Sequence, residues 1–414
     1  MNVSIIAIGD ELLIGQVIDT NSGDIARMIQ PAGWKVDYVQ VVHDDADAIR
    51  DAIDAAFKIS DVVLTTGGLG PTKDDITKQT LCDYFGGTLQ HDPAVLDNIK
   101  EIFRRRGIVL NPLTEAQAMV PTSCRVIQNR VGTAPIMWFE RDGKVLVSMP
   151  GVPFETHQMF EAQVFPQLLK KFHSDVAIGH RTLIVEGLTE SAVAIELDKW
   201  EQAMPQFTHL AYLPKPGIIR LRIDGIHHDE ALLNSTLDDL HAQLCRHFKD
   251  NLLCDSDLTP EEALIKELRS RGLTVASAES CTGGNIAHHI TSIAGCSDVY
   301  VGSVVSYANH AKQQLLGVNE ATIQTYGAVS QETALEMVNG VAKATGADCA
   351  IATTGIAGPS GATDGKPVGT VCIAVKTPSY INAETFHFPG TRDRVIDRAT
   401  TTALTRLCRA IQTK

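Results

Sequence analysis

Short apolar runs alternate with amphipathic stretches along most of this chain, and glycine-bearing turns join them. This alternation constrains the fold more than any other feature. Through the first 172 residues the order is strand 3–8, helix 21–29, strand 35–42, helix 46–57, strand 61–65 and helix 75–85. A β-α-β-α order predicts an α/β fold, with a parallel sheet, helices on both faces, and ligands at the carboxyl ends of the strands. At 414 residues the chain is too long for one such core, so further domains are expected. The opening run Val3 to Ile8 has no basic residues before it and is stopped by Gly9, Asp10 and Glu11. It reads as a first strand and not as a signal peptide.

Two loops fall at strand ends in this first segment. One runs G-D-E-L-L-I-G-Q-V-I-D-T-N from Gly9 to Asn21, and the other T-T-G-G-L-G-P-T-K-D-D-I-T from Thr65 to Thr77. Glycines in the second let the backbone approach a phosphate. Asp74 and Asp75 follow, and bare carboxylates beside a phosphate repel it unless a hard divalent cation lies between. Asp10, Glu11 and Asp19 could complete such a site. The plainer role for Asp74 and Asp75 is as first-turn helix acids. A third turn, P-G-V-P-F-E from Pro150, brings Glu155 as a further ligand or a cap.

These three motifs resemble the N-terminal domain of the CinA family (competence/damage-inducible protein A). The resemblance implies a molybdopterin-binding-like domain over residues 1–172. It also implies an ADP-ribose pyrophosphatase, a metal-dependent activity (Mg, Mn or Co) giving AMP and ribose 5-phosphate. It places the phosphate cradle at Thr66, Gly67, Gly68 and Gly70, with Thr72 beside them, and the acids at Asp74 and Asp75.

Residues 173–252 read as a small α+β layer, with strands near 181–185 and 218–223 and helices near 189–200 and 229–248. By the same resemblance this is a KH-like domain, whose relatives bind single-stranded nucleic acid. Here seven Lys and Arg face twelve Asp and Glu, and no G-x-x-G clamp is present. The whole chain carries a formal charge of −13. Nucleic acid and anionic membranes are therefore poor partners, and a spacer or dimerising role fits better. Arg220 and Arg222, with Lys215, read as surface ion pairs. Residues 253–258 read as a polar linker. Nine scattered cysteines with no C-x-x-C pair suit a reducing cytoplasm.

The last segment, 259–414, opens with Thr259-Pro-Glu-Glu262, a helix start. A buried strand then leads into A-S-A-E-S-C-T-G-G, from Ala276 to Gly284, and into a helix. The turn holds Ser280, Cys281 and Thr282 in a row. A nucleophile beside free N–H donors is the minimum kit for acyl transfer. Cys281 is the rival nucleophile to Ser280. His288 and His289 are the nearest bases, but no acid orients them and the helix aims them away. Lys312, in V-V-S-Y-A-N-H-A-K, is the better base if burial keeps it neutral, with Tyr307 able to relay the proton or hold the pair in register. A second T-T-G-x-x-G-P loop, holding Gly355 and Gly358, suits a phosphate. Arg392 at the start of the last helix suits an anion, or a salt bridge to Asp393 or Asp397.

The motifs A-E-S-C-T-G-G, Y-x-N-x-x-K, T-G-I-A-G-P-x-G and R-D resemble the C-terminal CinA domain, an α/β nicotinamide mononucleotide (NMN) deamidase. That likeness implies hydrolysis of the NMN carboxamide to nicotinic acid mononucleotide and ammonia, without a cofactor. It makes Ser280 the nucleophile, Lys312 the base and Tyr307 their partner, with N–H groups of Thr282 and Gly283 near the oxyanion. A cytoplasmic homodimer acting on NMN and ADP-ribose is the resulting expectation. The alternatives are a nucleotide- or pterin-binding module without chemistry in the first domain, and a competence- or DNA-associated accessory factor.

Overall fold

The computed structural model describes residues 1–72, 74–172 and 176–413; the expected start of the middle segment, His173, lies outside the described residues. The chain divides into two compact units. One is Met1–Gly179 with Ile226–Leu233, and the other is His180–Gly225 with the chain from Asn234 onward.

The first unit is built on a six-stranded sheet, in the order Lys35–Val42, Asn2–Ile8, Val62–Thr66, Lys144–Met149, Ile136–Arg141 and Arg125–Ile127. The first four strands are mutually parallel. The last two are antiparallel, so the sheet is mixed where a parallel one was expected. The cause is a two-residue turn at Asp142 and Gly143, with φ of 53° and 80°. Two left-handed residues in succession match the twist of a tight hairpin and fold the chain straight back. Helices cover both faces, which is why the central strands Asn2–Ile8, Val62–Thr66 and Lys144–Met149 are almost wholly buried. Val3 and Ile5 pack with Ile25, Ile29 and Phe160 on one side. Ile6 and Ile8 pack with Ile49, Ile53 and Ala56 on the other.

The second unit holds a five-stranded sheet, in the order Tyr300–Val305, Val275–Glu279, Cys349–Gly355, Thr370–Lys376 and Ile381–His387. The first three strands are parallel and the last two pairings antiparallel. Ala276, Ala278, Ala350 and Ala352 face Met337, Val338 and Val341 of helix Gln331–Thr345. Val275, Cys349 and Ile351 share the opposite layer with helices Pro260–Arg271 and Arg392–Gln412.

A smaller four-stranded sheet has the order Thr208–Lys215, Ile218–His227, Ala177–Glu186 and Leu252–Cys254, with helices Glu190–Gln202 and Glu230–His247. Its Ile184, Ile218 and Leu253 belong to the same apolar cluster as the C-terminal helices. The expected linker at 253–258 is thus partly a strand: Leu253 is buried and Leu252 pairs with Val185. Leu252 and Leu253 outweigh the acids that follow them. Arg220 pairs with Asp257, and Arg222 with Asp224. Among the described residues no helix is long and apolar enough to cross a membrane.

Helix Gln331–Thr345 contains Gly340, and a methyl group there would lie 1.9 Å from the Leu316 carbonyl oxygen. Alanine normally improves a helix interior by about 1 kcal/mol over glycine. Here the close approach reverses the sign. Gly340→Ala should lower unfolding stability by about 1–3 kcal/mol, read as a reduced denaturant midpoint.

Candidate active sites

In the second unit, two loops leave adjacent parallel strands at the same end. Strand Val275–Glu279 is fully buried, and its register sets Glu279 opposite Val305 and Thr353. The next residue, Ser280, donates its N–H to the Thr353 carbonyl at 3.0 Å, and Ser306 N–H donates to the Glu279 carbonyl at 2.8 Å. These two bonds bring the Ser280 turn beside the segment leading to Lys312. Helix Asn309–Leu316 carries Lys312 in its first turns. A helical side chain leans toward its own N-terminus, so Lys312 reaches back over residues 306 and 307.

Lys312 is 1% exposed. Its Nζ lies 2.9 Å from Ser280 Oγ, 2.9 Å from the Ser306 carbonyl and 3.2 Å from the Tyr307 carbonyl. No carboxylate pairs with it among the described residues. Burial without a counter-charge disfavours the ammonium and lowers the lysine pKa from 10.5. A neutral amine suits the three contacts: two N–H groups for the two carbonyls and a lone pair for the serine proton.

Tyr307 meets this pair only through its main chain. Its side chain is 60% exposed, and its hydroxyl accepts a hydrogen bond from Arg392 at 2.8 Å. Arg392 also donates to the Gly358 carbonyl at 2.8 Å. The guanidinium therefore ties Tyr307 to the loop after Gly355. Its partners are not Asp393 or Asp397.

Cys281 belongs to the apolar core, and burial pushes its thiol up to about 12. Thiolate is the reactive form, so this position is poorly suited to nucleophilic work. The Gly283 N–H is spent on the Ser280 carbonyl at 3.1 Å, so it is not the free donor expected. Among the described residues the N–H groups of Cys281 and Thr282 reach no carbonyl or carboxylate acceptor. His289 has an acid after all: Glu261 lies 3.7 Å away and raises the imidazole pKa.

The sequence reading overlooked Glu279. Its side chain is completely buried. The carboxylate accepts from Thr282 Oγ1 at 2.8 Å and from the N–H groups of Gly284, Ile286 and Ala287 at 3.0, 3.1 and 2.9 Å. An acid directly before a nucleophile and six residues before the start of a helix was the available signal.

The first unit has a cleft of ≈ 420 Å³ at the carboxyl ends of its parallel strands. Gly67, Gly68 and Gly70 line it, with Glu11, Asp75, Gln117, Val152 and Glu155. Gly67 has φ 104°, and any side chain there would strike the Ile8 carbonyl at 2.0 Å. Thr66 is buried in its strand. Asp75 folds back on its own loop, accepting from Gly70 N–H at 2.7 Å, Thr72 N–H at 2.9 Å and the Thr72 hydroxyl. Hence the helix starts at Thr77 and not at residue 75. Asp74 is exposed, and its carbonyl takes the Ile76 N–H.

Asp10 pairs with His43 at 2.7 Å, Asp19 accepts from Ser22 N–H at 3.1 Å, and Glu155 accepts from Asn129 at 2.8 Å. Asp44 was not anticipated. It accepts from Asp10 N–H at 3.1 Å, and burial, followed by Asp10, Glu11 and Asp75 nearby, raises its pKa. Lys78 was also missed. Burial lowers it to about 8, and its Nζ donates to the Gln117 carbonyl at 3.0 Å. Among the described residues no three His, Cys, Asp or Glu side chains converge to hold a metal ion by themselves.

Comparisons with known proteins cover both units. The model of the CinA C-terminal domain matches residues 257–411, and that of a probable molybdopterin binding domain matches residues 4–170. A CinA-like protein of Flavobacterium psychrophilum is 41% identical over 408 residues, spanning 98% of this chain and 97% of that protein. A putative competence-damage inducible protein of Caldicellulosiruptor saccharolyticus is 40% identical, spanning 98% of each. The crystal structure of the competence/damage inducible protein CihA from Agrobacterium tumefaciens is 39% identical and covers 38% of this chain and 99% of that one, with a TM-score of 0.36.

Two outcomes follow from this geometry. Because the folded state disfavours protonated Lys312 while the unfolded chain protonates near 10.5, wild-type stability should rise with pH through the window ending at 10.5. Lys312→Met removes that slope, so the melting temperature of the variant minus that of wild type should fall as pH is raised from 7 to 10.5. Separately, peptide mass spectrometry after iodoacetamide treatment at pH 8 should find Cys281 unmodified in the folded protein and modified after denaturation.

Proposed function

Because the chain belongs to the CinA family, we propose that its second unit is a serine amidohydrolase that releases the carboxamide nitrogen of NMN as ammonia. One observation carries this reading: a buried lysine with no acid partner among the described residues, its Nζ 2.9 Å from a serine hydroxyl at the end of a parallel strand. Such a lysine is a base, since little else stabilises its charge.

The chemistry then runs as an acyl transfer. Ser280 Oγ adds to the carboxamide carbon while its proton passes to Lys312 Nζ. The carbonyl oxygen becomes an oxyanion and receives the Cys281 and Thr282 amides. Collapse breaks the carbon–nitrogen bond, and the Lys312 ammonium protonates the leaving nitrogen to give ammonia. The ester left on Ser280 is opened by water that the same amine deprotonates. The products are nicotinic acid mononucleotide and the free serine. Gly355, Gly358 and Arg392 border the site and suit the phosphate end of the substrate.

For the first unit we propose phosphoanhydride cleavage of ADP-ribose in the glycine-lined cleft. The donor chemistry is all oxygen, which suits a hard divalent cation (Mg, Mn or Co) held by one or two carboxylates and the ligand's own phosphates, not a protein cage. Glu11, Asp75 and Glu155 line that cleft; one or two of them would hold the cation, which would supply charge neutralisation and an activated water. Asp75 has the further task of shaping the loop. Nine free thiols support a reducing, cytoplasmic setting. Exposed Leu13, Ile14, Val17 and Ile18 support association of copies, of which a homodimer is the simplest.

Ser280→Ala should reduce ammonia release from NMN by at least about 10⁴-fold, whereas Cys281→Ala should keep most of it. Full activity in the first variant overturns the assignment. The value of kcat/KM should rise with pH along a limb centred below 10.5, as the amine loses its proton. Asp75→Ala should abolish metal-dependent AMP release from ADP-ribose and leave NMN deamidation intact. Wild-type protein that binds ADP-ribose without turnover would favour a binding module instead.

A further inference from the structure

Resting on the amidohydrolase reading, we infer that Glu279 is a positioning residue for acyl transfer: its buried carboxylate shapes the turn that leaves two amides open to the oxyanion. Buried carboxylates usually find a cation, but no Lys, Arg or His pairs with this one among the described residues. Six donors replace it. Oε2 accepts from Thr282 Oγ1, Gly284 N–H and Ile286 N–H. Oε1 accepts from Ala287 N–H at 2.9 Å and from the hydroxyls of Ser277 and Ser303 at 3.3 and 3.4 Å.

The distribution of these bonds gives the carboxylate its role. Glu279 takes amides from the turn and first residues of helix Asn285–Thr291. The Gly283 amide is taken by the Ser280 carbonyl. Among the described residues, only the amides of Cys281 and Thr282, directly after the nucleophile, remain without a carbonyl or carboxylate acceptor in this turn. The carboxylate pins the chain from Thr282 onward, through Thr282 Oγ1 and the amides of Gly284, Ile286 and Ala287, while Ser280 N–H on the Thr353 carbonyl holds the side before them. Thr282 Oγ1 also meets Thr353 Oγ1 at 2.8 Å, on the strand whose carbonyl holds Ser280 N–H.

The Glu279 main chain extends this control to the base. Its carbonyl holds Ser306 N–H, and the Ser306 carbonyl holds Lys312 Nζ. The two halves of one residue thus fix the oxyanion donors and the amine. A glutamine cannot do the same. Either orientation of its amide sets an NH₂ group against at least one main-chain N–H, so the turn must shift.

The test compares Glu279→Gln with wild type in NMN deamidation, with folding followed by circular dichroism and melting temperature. The expected result is a folded variant whose kcat falls about 10²-fold or more, the usual cost of losing an oxyanion donor. KM should change less than about threefold, and the ascending limb of the pH profile should stay in place. A kcat within threefold of wild type overturns the proposal. So does a fall that merely tracks the unfolded fraction, or a displaced pH limb, which would mean that Glu279 acts through the charge of Lys312.

If Glu279→Gln does not fold, Thr282→Val keeps the amide and removes one anchor of the carboxylate. It should lower kcat about tenfold at unchanged KM, and unaltered kcat there overturns the proposal. Absence of ammonia release from wild-type protein would instead sink the amidohydrolase reading, and this role with it.

Discussion

The contact between Lys312 and Ser280 organises the second unit. An amine stripped of water and given no carboxylate is costly to bury, and the surrounding structure has to bear that cost. Two main-chain carbonyls partly offset it. They come from the segment just past an edge strand, which is in turn bonded to the strand that ends at the nucleophile. Parallel pairing is therefore not incidental scaffolding. Only strands running the same way deliver the serine turn and the lysine helix to one end of the sheet.

The two units solve a similar problem with similar means. In each, a glycine-bearing turn follows a buried parallel strand, and one carboxylate folds back onto amides of its own loop. Asp75 takes Gly70 and Thr72; Glu279 takes Gly284, Ile286 and Ala287. An acid near a phosphate or an oxyanion looks out of place when judged by charge alone. Its usefulness lies in which donors it removes from competition. In the first unit this also means that Asp75 has little freedom to serve solely as a ligand.

Much of the architecture was legible in the sequence, because two-faced burial writes strands as unbroken apolar runs and glycine marks the turns between them. The strands at Val62–Thr66 and Val275–Glu279 are clear for that reason. The antiparallel strands of the first sheet were overlooked, although Asp142-Gly143 between apolar stretches is a hairpin signal. The strand at Leu252–Cys254 was hidden by the acids after it. Side-chain direction is harder to read. Spacing brought Tyr307 and Lys312 into one segment, but only the folded chain separates an exposed phenol bound to Arg392 from a buried amine. The use of Glu279 depends on three amides converging on one carboxylate, which no linear pattern reveals.

The shared apolar layer beneath the C-terminal sheet bears on how this protein can be divided. Ile184, Ile218 and Leu253 come from the small sheet yet sit among side chains of Pro260–Arg271 and Arg392–Gln412. An expression fragment cut at the domain boundary near residue 257 would shed those three aliphatic covers and present a greasy patch to solvent. Aggregation of such a fragment would then reflect where the scissors fell, not a defect in the catalytic half itself.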